Sequence, residues 1–204
     1  MITRTTLFTA LCLWLFSGLA LAASPESASA MVKDTSNRML TTLQARRAEV
    51  DRDPSLIYKM VSEILVPHFD FTRITQSALG RHWSKATPAQ QEALTTEFRQ
   101  LLVRTYATAL LRYSGQEIRF LPARPGSGPD SVTVASEIVQ GSTTPLSVDY
   151  KLYTQGGAWK VYDVIIDNVS LVTNYRSSFA SEIRKGGIDG LVQRLGEMNT
   201  KGAG

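Results

Sequence analysis

Apolar residues recur with a period near 3.6 through the first half of the chain, and then with a period of 2. From about Ser29 to Val50 the residues Met31, Thr35, Met39, Thr42 and Leu43 share one stripe, while Lys33, Asn37, Gln44 and Arg47 point elsewhere, which predicts a helix. The small, polar residues 23–30 before it read as a frayed leader. Asp53-Pro54 supplies an N-cap and a first-turn proline for a helix carrying Leu56, Ile57, Met60, Val61, Ile64 and Leu65, which Pro67 ends. A short helix with Ile74 and Leu79 closes at Gly80, and Trp83 falls in the connection. Thr87-Pro88-Ala89-Gln90 is a capping box opening the longest helix, which runs to about Tyr113. Its apolar stripe includes Leu94, Phe98, Leu101, Leu102, Tyr106, Ala109 and Leu110.

After Ser114-Gly115 the alternation predicts about four antiparallel strands. They centre on Ile118 and Phe120; on Val132, Val134, Ser136 and Ile138; on Leu146, Val148, Tyr150 and Leu152; and on Trp159 to Ile166. Pro122 to Asp130 reads as a loop, and Gln155-Gly156-Gly157 as a hairpin turn. Two helices finish the chain, the first capped by Ser170 and closed at Gly186-Gly187, the second holding Ile188, Leu191, Val192, Leu195 and Met198. The predicted organisation is α+β, with a helical half (29–113), a curved antiparallel sheet (116–169) and C-terminal helices (170–199).

The last strand departs from simple alternation. Trp159, Val161 and Ile165 share one face with Asp163, yet Tyr162, Val164 and Ile166 on the other face are also apolar. Such a strand needs cover on both sides, either from helices or because one face lines an apolar cavity.

Composition narrows the setting. Arg4, the apolar run Leu7 to Phe16 and Ala20-Leu21-Ala22 form an export signal expected to be cleaved after Ala22, leaving 23–204 as one domain. The single cysteine, Cys12, lies in that signal, so the mature chain is held by its core alone, and the periplasm is the expected compartment. The net charge of +4 is spread among interspersed acids and bases, so no nucleic-acid partner is expected. With two histidines, His68 and His82, and no mature cysteine, a His/Cys zinc site is disfavoured. No GxSxG, HExxH, P-loop or strand-borne GxGxxG occurs. His68 and His82 read as packing or capping residues.

Asp163 is the one provocative carboxylate: buried and unpaired it would be a general base, whereas paired it would be a structural anchor. The anchor reading calls for an ion pair, with Arg104 or Arg176 as partner, or a hydrogen bond to a helix N-terminus. The aromatics Phe98, Tyr106, Tyr113, Tyr150, Trp159, Tyr175 and Phe179 are expected to converge, either as a filled core or around a cleft between sheet and helices.

These residues also resemble a known family. Phe69-Asp70, Ile74, Leu79-Gly80, Trp83, Ala86-Thr87, Phe98, Leu101-Leu102, Thr105-Tyr106 and Tyr113 are similar to the MlaC, or toluene-tolerance, family of periplasmic phospholipid-binding proteins. Trp159-Lys160-Val161-Tyr162-Asp163-Val164, then Val169-Ser170-Leu171-Val172, Asn174-Tyr175-Arg176 and Phe179, carry the most specific part, and the match runs from about residue 31 to 198. The family's Gly before the Val-Ser pair is replaced by Asn168, the next-best residue for a left-handed backbone.

The resemblance implies an NTF2-like sheet wrapped by helices around a deep apolar cavity, with phospholipid as ligand and no cofactor, metal or catalytic residue. A volume near or above the upper end of the usual ~300–1,000 Å³ is expected. The implied role is a monomeric carrier between an outer-membrane lipoprotein–porin complex and an inner-membrane ABC transporter with its substrate-binding subunit, maintaining outer-membrane lipid asymmetry. The expected lipid contacts are Phe98, Leu101, Leu102, Tyr106, Leu110, Val134, Val148, Tyr150, Trp159, Val161, Val172 and Tyr175. The rival from another class is an NTF2-like isomerase with Asp163 as base and a tyrosine as oxyanion donor.

Overall fold

The computed structural model describes residues 24–128, 130–141 and 144–201, so the expected export signal and cleavage site lie outside the described residues. Helix α1 (Pro25–Ala45) begins earlier than its apolar stripe predicts. The Ser24 hydroxyl accepts from the Ser27 amide, and Ser27 Oγ accepts from the Ser24 amide, with Pro25 at the first helical position. Residues 24–30 are thus not a frayed leader. Ala28 is fully buried and packs with Val32 against Val132, Val134, Leu152 and Val161 of the sheet. Trp159 Nε1 donates to Ser27 Oγ at 2.8 Å. A serine in place of the usual Glu or Gln at the third position, and no large apolar side chain, hid this start.

Helix α2 (Arg47–Arg52) continues after a break at Arg46. The Asp53 carboxylate accepts from the Ser55 amide and hydroxyl, forming a turn, and α3 (Leu56–Ile64) starts after it, two residues later than the Asp-Pro signal suggests. A 3₁₀ turn (Val66–His68) leads to α4 (Phe71–Leu79), whose first turn is capped by Asp70 Oδ1 accepting from the Arg73 amide at 2.9 Å. Gly80, at φ +54°, ends α4 in a region that favours glycine, and Trp83 sits in the 3₁₀ segment Gly80–Lys85. The Thr87–Gln90 capping box opens α5 (Pro88–Leu110) as predicted.

The sheet contains six strands rather than about four: β1 (Glu117–Phe120), β2 (Arg124–Pro125), β3 (Ser131–Val139), β4 (Leu146–Gln155), β5 (Ala158–Ile166) and β6 (Val169–Ser170). Their order is β1-β3-β4-β5-β6, all antiparallel, with β2 also pairing to β3. The two additional strands are two-residue backbone pairings, one inside the predicted loop and one at the predicted helix start. Neither is long enough to carry a period. Asp167 and Asn168, at φ +46° and +64°, make the two-residue turn between Ile166 and Val169. Asn168 does adopt the left-handed conformation that its place in the sequence suggests.

One irregularity decides which residues face inward. Leu152 pairs with Val161 and Lys151 with Asp163, leaving Tyr162 as an extra residue in β5. Val161 packs on α1, while Val164 and Ile166, beyond the bulge, take over the inward face. Tyr162 packs edge-to-face on Tyr153 at 5.8 Å on the opposite side, beneath the guanidinium of Arg73. Ile165, opposite Asp149, is not in register with Trp159 and Val161 as plain alternation required.

Helix α6 (Leu171–Lys201) breaks at Gly187 (φ +69°, ψ −168°), giving the two expected C-terminal helices. Three buried clusters build the core: one among α4, α5 and α6 around Phe98, one among α1, α3 and α5 around Met60, and one between α1 and the sheet around Val134.

Replacing Trp159 with Phe keeps an aromatic ring but removes the donor to Ser27. A loss of about 1 kcal/mol is expected in urea denaturation, with faster amide exchange in the first turn of α1. Unchanged exchange there would show that the contact does not hold the helix start.

Candidate functional site

The seam between the core clusters holds two adjoining apolar chambers. The first, of about 220 Å³, lies between α3, α4, α5 and the inner face of β4 and β5. Val61, Leu65, Phe71, Leu102, Ala107, Val148, Val164 and Val172 are among its walls. The second, of about 160 Å³, lies under α1, with Met31, Thr35, Met39, His68, Ile118, Ile138 and Val161 among its walls. Leu65, Phe69, Leu110 and Tyr150 face both and form the partition. The single deep pocket that the family resemblance implies is therefore found divided, and each part is below the usual ~300 Å³ floor for ligand sites.

Each wall has a local cause. Leu102, Tyr106 and Leu110 return at four-residue intervals on α5 and present one stripe. Val148 and Tyr150 are two apart on β4, and so are Val164 and Ile166 on β5. Phe69 is held beside the sheet because the Asp70 amide donates to the Val161 carbonyl at 2.9 Å, closing part of β5's outer edge. The Asp70 carboxylate also accepts from the Tyr153 hydroxyl.

Of the expected contacts, Leu102, Tyr106, Leu110, Val148, Tyr150, Val161 and Val172 line a chamber. Phe98, Leu101, Val134, Trp159 and Tyr175 do not. Phe98 is fully buried, edge-on to Tyr175 and Phe179 at 4.9 and 4.8 Å, so these rings fill a core instead of a cleft. Leu101 belongs to that cluster, while Val134 and Trp159 are taken up by α1. The walls missed by sequence reasoning are chiefly Val61, Leu65 and Val66 at the end of α3, Phe69 and Phe71, and Met31 to Leu40 on α1. A cavity wall and a core face carry the same apolar stripe, so the pattern does not separate them.

Burial biases His68, Tyr150 and Tyr106 at the chambers toward their uncharged forms. Burial, then the nearby Arg38 and Lys160 cations, pushes the His68 imidazole below its ordinary pKa. Burial pushes the Tyr150 hydroxyl up, with Ser136 acting in the opposite direction, and also pushes up the Tyr106 hydroxyl, assisted by Tyr175. Among the described residues, no three His, Cys, Asp or Glu side chains gather as a metal site.

Asp163 lines the first chamber but is committed to the junction behind it. It is 6% exposed; Oδ2 accepts from Ser170 Oγ at 2.8 Å and Oδ1 from the Val172 amide at 3.3 Å. Lys151 Nζ lies 3.6 Å away. Both a hydrogen bond to a helix N-terminus and an ion pair are found, but the cation is Lys151 and neither expected arginine takes part. Arg176 donates to the Ser77 carbonyl at the end of α4, and Arg104 to the Asn199 carbonyl. A carboxylate with both oxygens so engaged suits an anchor better than a base.

The family model described as MlaC protein matches residues 33–197. The chain is 29% identical over 160 residues to a toluene tolerance protein, ttg2D, of Pseudomonas putida, covering 78% of this chain and 74% of that protein. It is 23% identical over 177 residues to the intermembrane phospholipid transport system binding protein MlaC of Haemophilus influenzae, covering 85% and 83%. A solved structure of a phospholipid-binding protein from Ralstonia solanacearum, in complex with a phospholipid, is similar with a TM-score of 0.79 and 35% identity, covering 87% of this chain and 99% of that one.

Replacing Asp163 with Ala strands a hydroxyl, an amide and an ammonium, and about 1–3 kcal/mol of stability should be lost. A double-mutant cycle with Ser170→Ala should give a coupling of at least about 0.5 kcal/mol; strict additivity in chemical denaturation would remove the anchor role.

Proposed function

This chain belongs to the MlaC family, and on that premise we propose that it is a non-enzymatic periplasmic phospholipid carrier whose acyl chains occupy the two chambers. The supporting observation is continuous apolar lining from α1, α3, α4, α5 and the sheet, with only the partition side chains between the chambers. The phospholipid complex of the Ralstonia relative, and the identity of the Haemophilus relative as an intermembrane phospholipid transport system binding protein, favour the same reading. Among the described residues no helix is long and apolar enough to cross a membrane.

Energetics explains the need for such walls. A diacyl lipid exposes roughly 30 methylenes, each about 0.8 kcal/mol less favourable in water, so unaided crossing costs on the order of 20 kcal/mol. Transfer from a bilayer into an equally apolar chamber is near neutral. Lipid then moves either way, with direction set by the donor and acceptor. On this reading the sheet and helices form an NTF2-like cup, and the partners are an outer-membrane lipoprotein–porin complex and an inner-membrane ABC transporter with its substrate-binding subunit. The biological outcome is maintained outer-membrane asymmetry. Because the divided chambers are small, loading requires Leu65, Phe69, Leu110 and Tyr150 to change rotamer and join them.

Organic extraction and mass spectrometry of the purified protein should yield phospholipid. Ala107→Phe, at a buried position on the first chamber's wall, should keep the helical circular-dichroism signal while cutting bound phospholipid about tenfold or more, given the overpacking expected of an added ring. No extractable lipid, with no loading from vesicles, would end the carrier reading.

A further inference from the structure

The first chamber adjoins a groove of different chemistry. Two neighbouring rows of α5, Arg99 with Val103 and Gln100 with Arg104, face Tyr58, Ser62 and Val66, which follow one another at four-residue spacing along α3 and just past its end. The groove encloses about 400 Å³. Val66 and Val103 line both this groove and the chamber, so one thin apolar wall separates acyl space from polar space.

We propose that this groove is the subsite for the phosphate of the carried lipid, with Arg99 and Arg104 as its cations. The inference rests on the carrier reading.

Among the described residues neither groove arginine forms an ion pair. Arg46, Arg47, Arg119, Arg124 and Arg194 each pair with a carboxylate. Among the described residues Arg99 has no ion-pair or hydrogen-bond partner, although it is exposed beside the groove. Arg104 is half-buried; its Nη1 donates to the Asn199 carbonyl, and its guanidinium lies 5.9 Å from the Tyr58 ring centroid. Its Nε is buried with no hydrogen-bond partner. The acid nearest in sequence, Glu97, accepts from Asn199 Nδ2 at 2.7 Å instead. No carboxylate is among the groove's lining residues.

A half-buried guanidinium without a counter-ion is costly, and an anion delivered to it recovers part of that cost. The planar fork of arginine matches phosphate oxygens, and the hydroxyls of Tyr58 and Ser62 and the Gln100 amide add neutral donors. The shared wall favours a tethered phosphate over an acidic protein segment. A ligand with tails beyond Val66 and Val103 brings its own anion to the groove.

The test uses purified full-length mature protein, delipidated and then loaded from vesicles containing phosphatidylglycerol and diacylglycerol with identical chains. Mass spectrometry reads the ratio retained. Wild type should favour the phospholipid, and R99Q, at a side chain with no partner to lose, should lower that ratio about tenfold while leaving diacylglycerol loading unchanged. R104K, keeping the charge but not the fork, should fall between them. An unchanged ratio in R99Q, or an equal loss of both lipids, would overturn the subsite. So would inorganic phosphate that shifts the arginine side-chain resonances of the delipidated protein and stays bound when phospholipid is loaded, which assigns the groove to free phosphate. Wild type loading both lipids equally defeats the subsite alone, whereas wild type loading neither defeats the carrier reading beneath it.

Discussion

A buried carboxylate where β5 turns into α6 holds the layers in place. Asp163 accepts from the Ser170 hydroxyl and the Val172 amide, so one side chain joins the central hairpin, the short strand β6 and the first turn of the last helix. Its position depends on the bulge at Tyr162, which shifts the strand by one residue just before it. Upstream of the bulge Val161 packs on α1; downstream Val164 and Ile166 face α5 across the first chamber. Without the extra residue the inward set would be Val161, Asp163 and Ile165, and Val164 and Ile166 would lose their place on the inner face.

The chambers exist because three core clusters are each filled and do not merge. Phe98, Tyr175 and Phe179 consume the aromatic volume between α5 and α6, while Ala28 and Val32 bring α1 close to the sheet. What lies between is walled by side chains that pack on one side only. Empty apolar space lacks the dispersion contacts of a filled core, so a fold that keeps such space forgoes stability that a bound acyl chain can restore. The partition residues Leu65, Phe69, Leu110 and Tyr150 stand where that exchange takes place.

Much of the fold was legible in local chemistry. The Thr87–Gln90 box, the glycine stops at Gly80 and Gly187 and the alternation along β3 and β4 fix their elements at short range. What escaped is long-range or carries no period. The Ser24–Ser27 cap gains its partner Trp159 only in the folded chain, and β2 and β6 are two-residue pairings. The Tyr162 bulge is invisible to alternation, so Val164 and Ile166 were not named as chamber walls although Val148 and Tyr150 were. Phe98 and Leu102 share one stripe of α5, yet the first is core and the second faces a chamber. That difference is set by where α6 and the sheet end up. The family resemblance supplied the ligand class; composition and periodicity alone favoured a filled core over a cavity.

The central claim is that these chambers, and no other surface, receive acyl chains. The most direct measurement is photo-crosslinking with a diacyl phospholipid carrying a diazirine near the middle of one chain, followed by peptide mapping. Adducts on Leu65, Leu110, Tyr150 and their chamber neighbours, lost on competition with unlabelled phospholipid, are the result expected from this geometry. Adducts confined to the outer face of the sheet, around Tyr153 and Tyr162, or spread without competition, would contradict it.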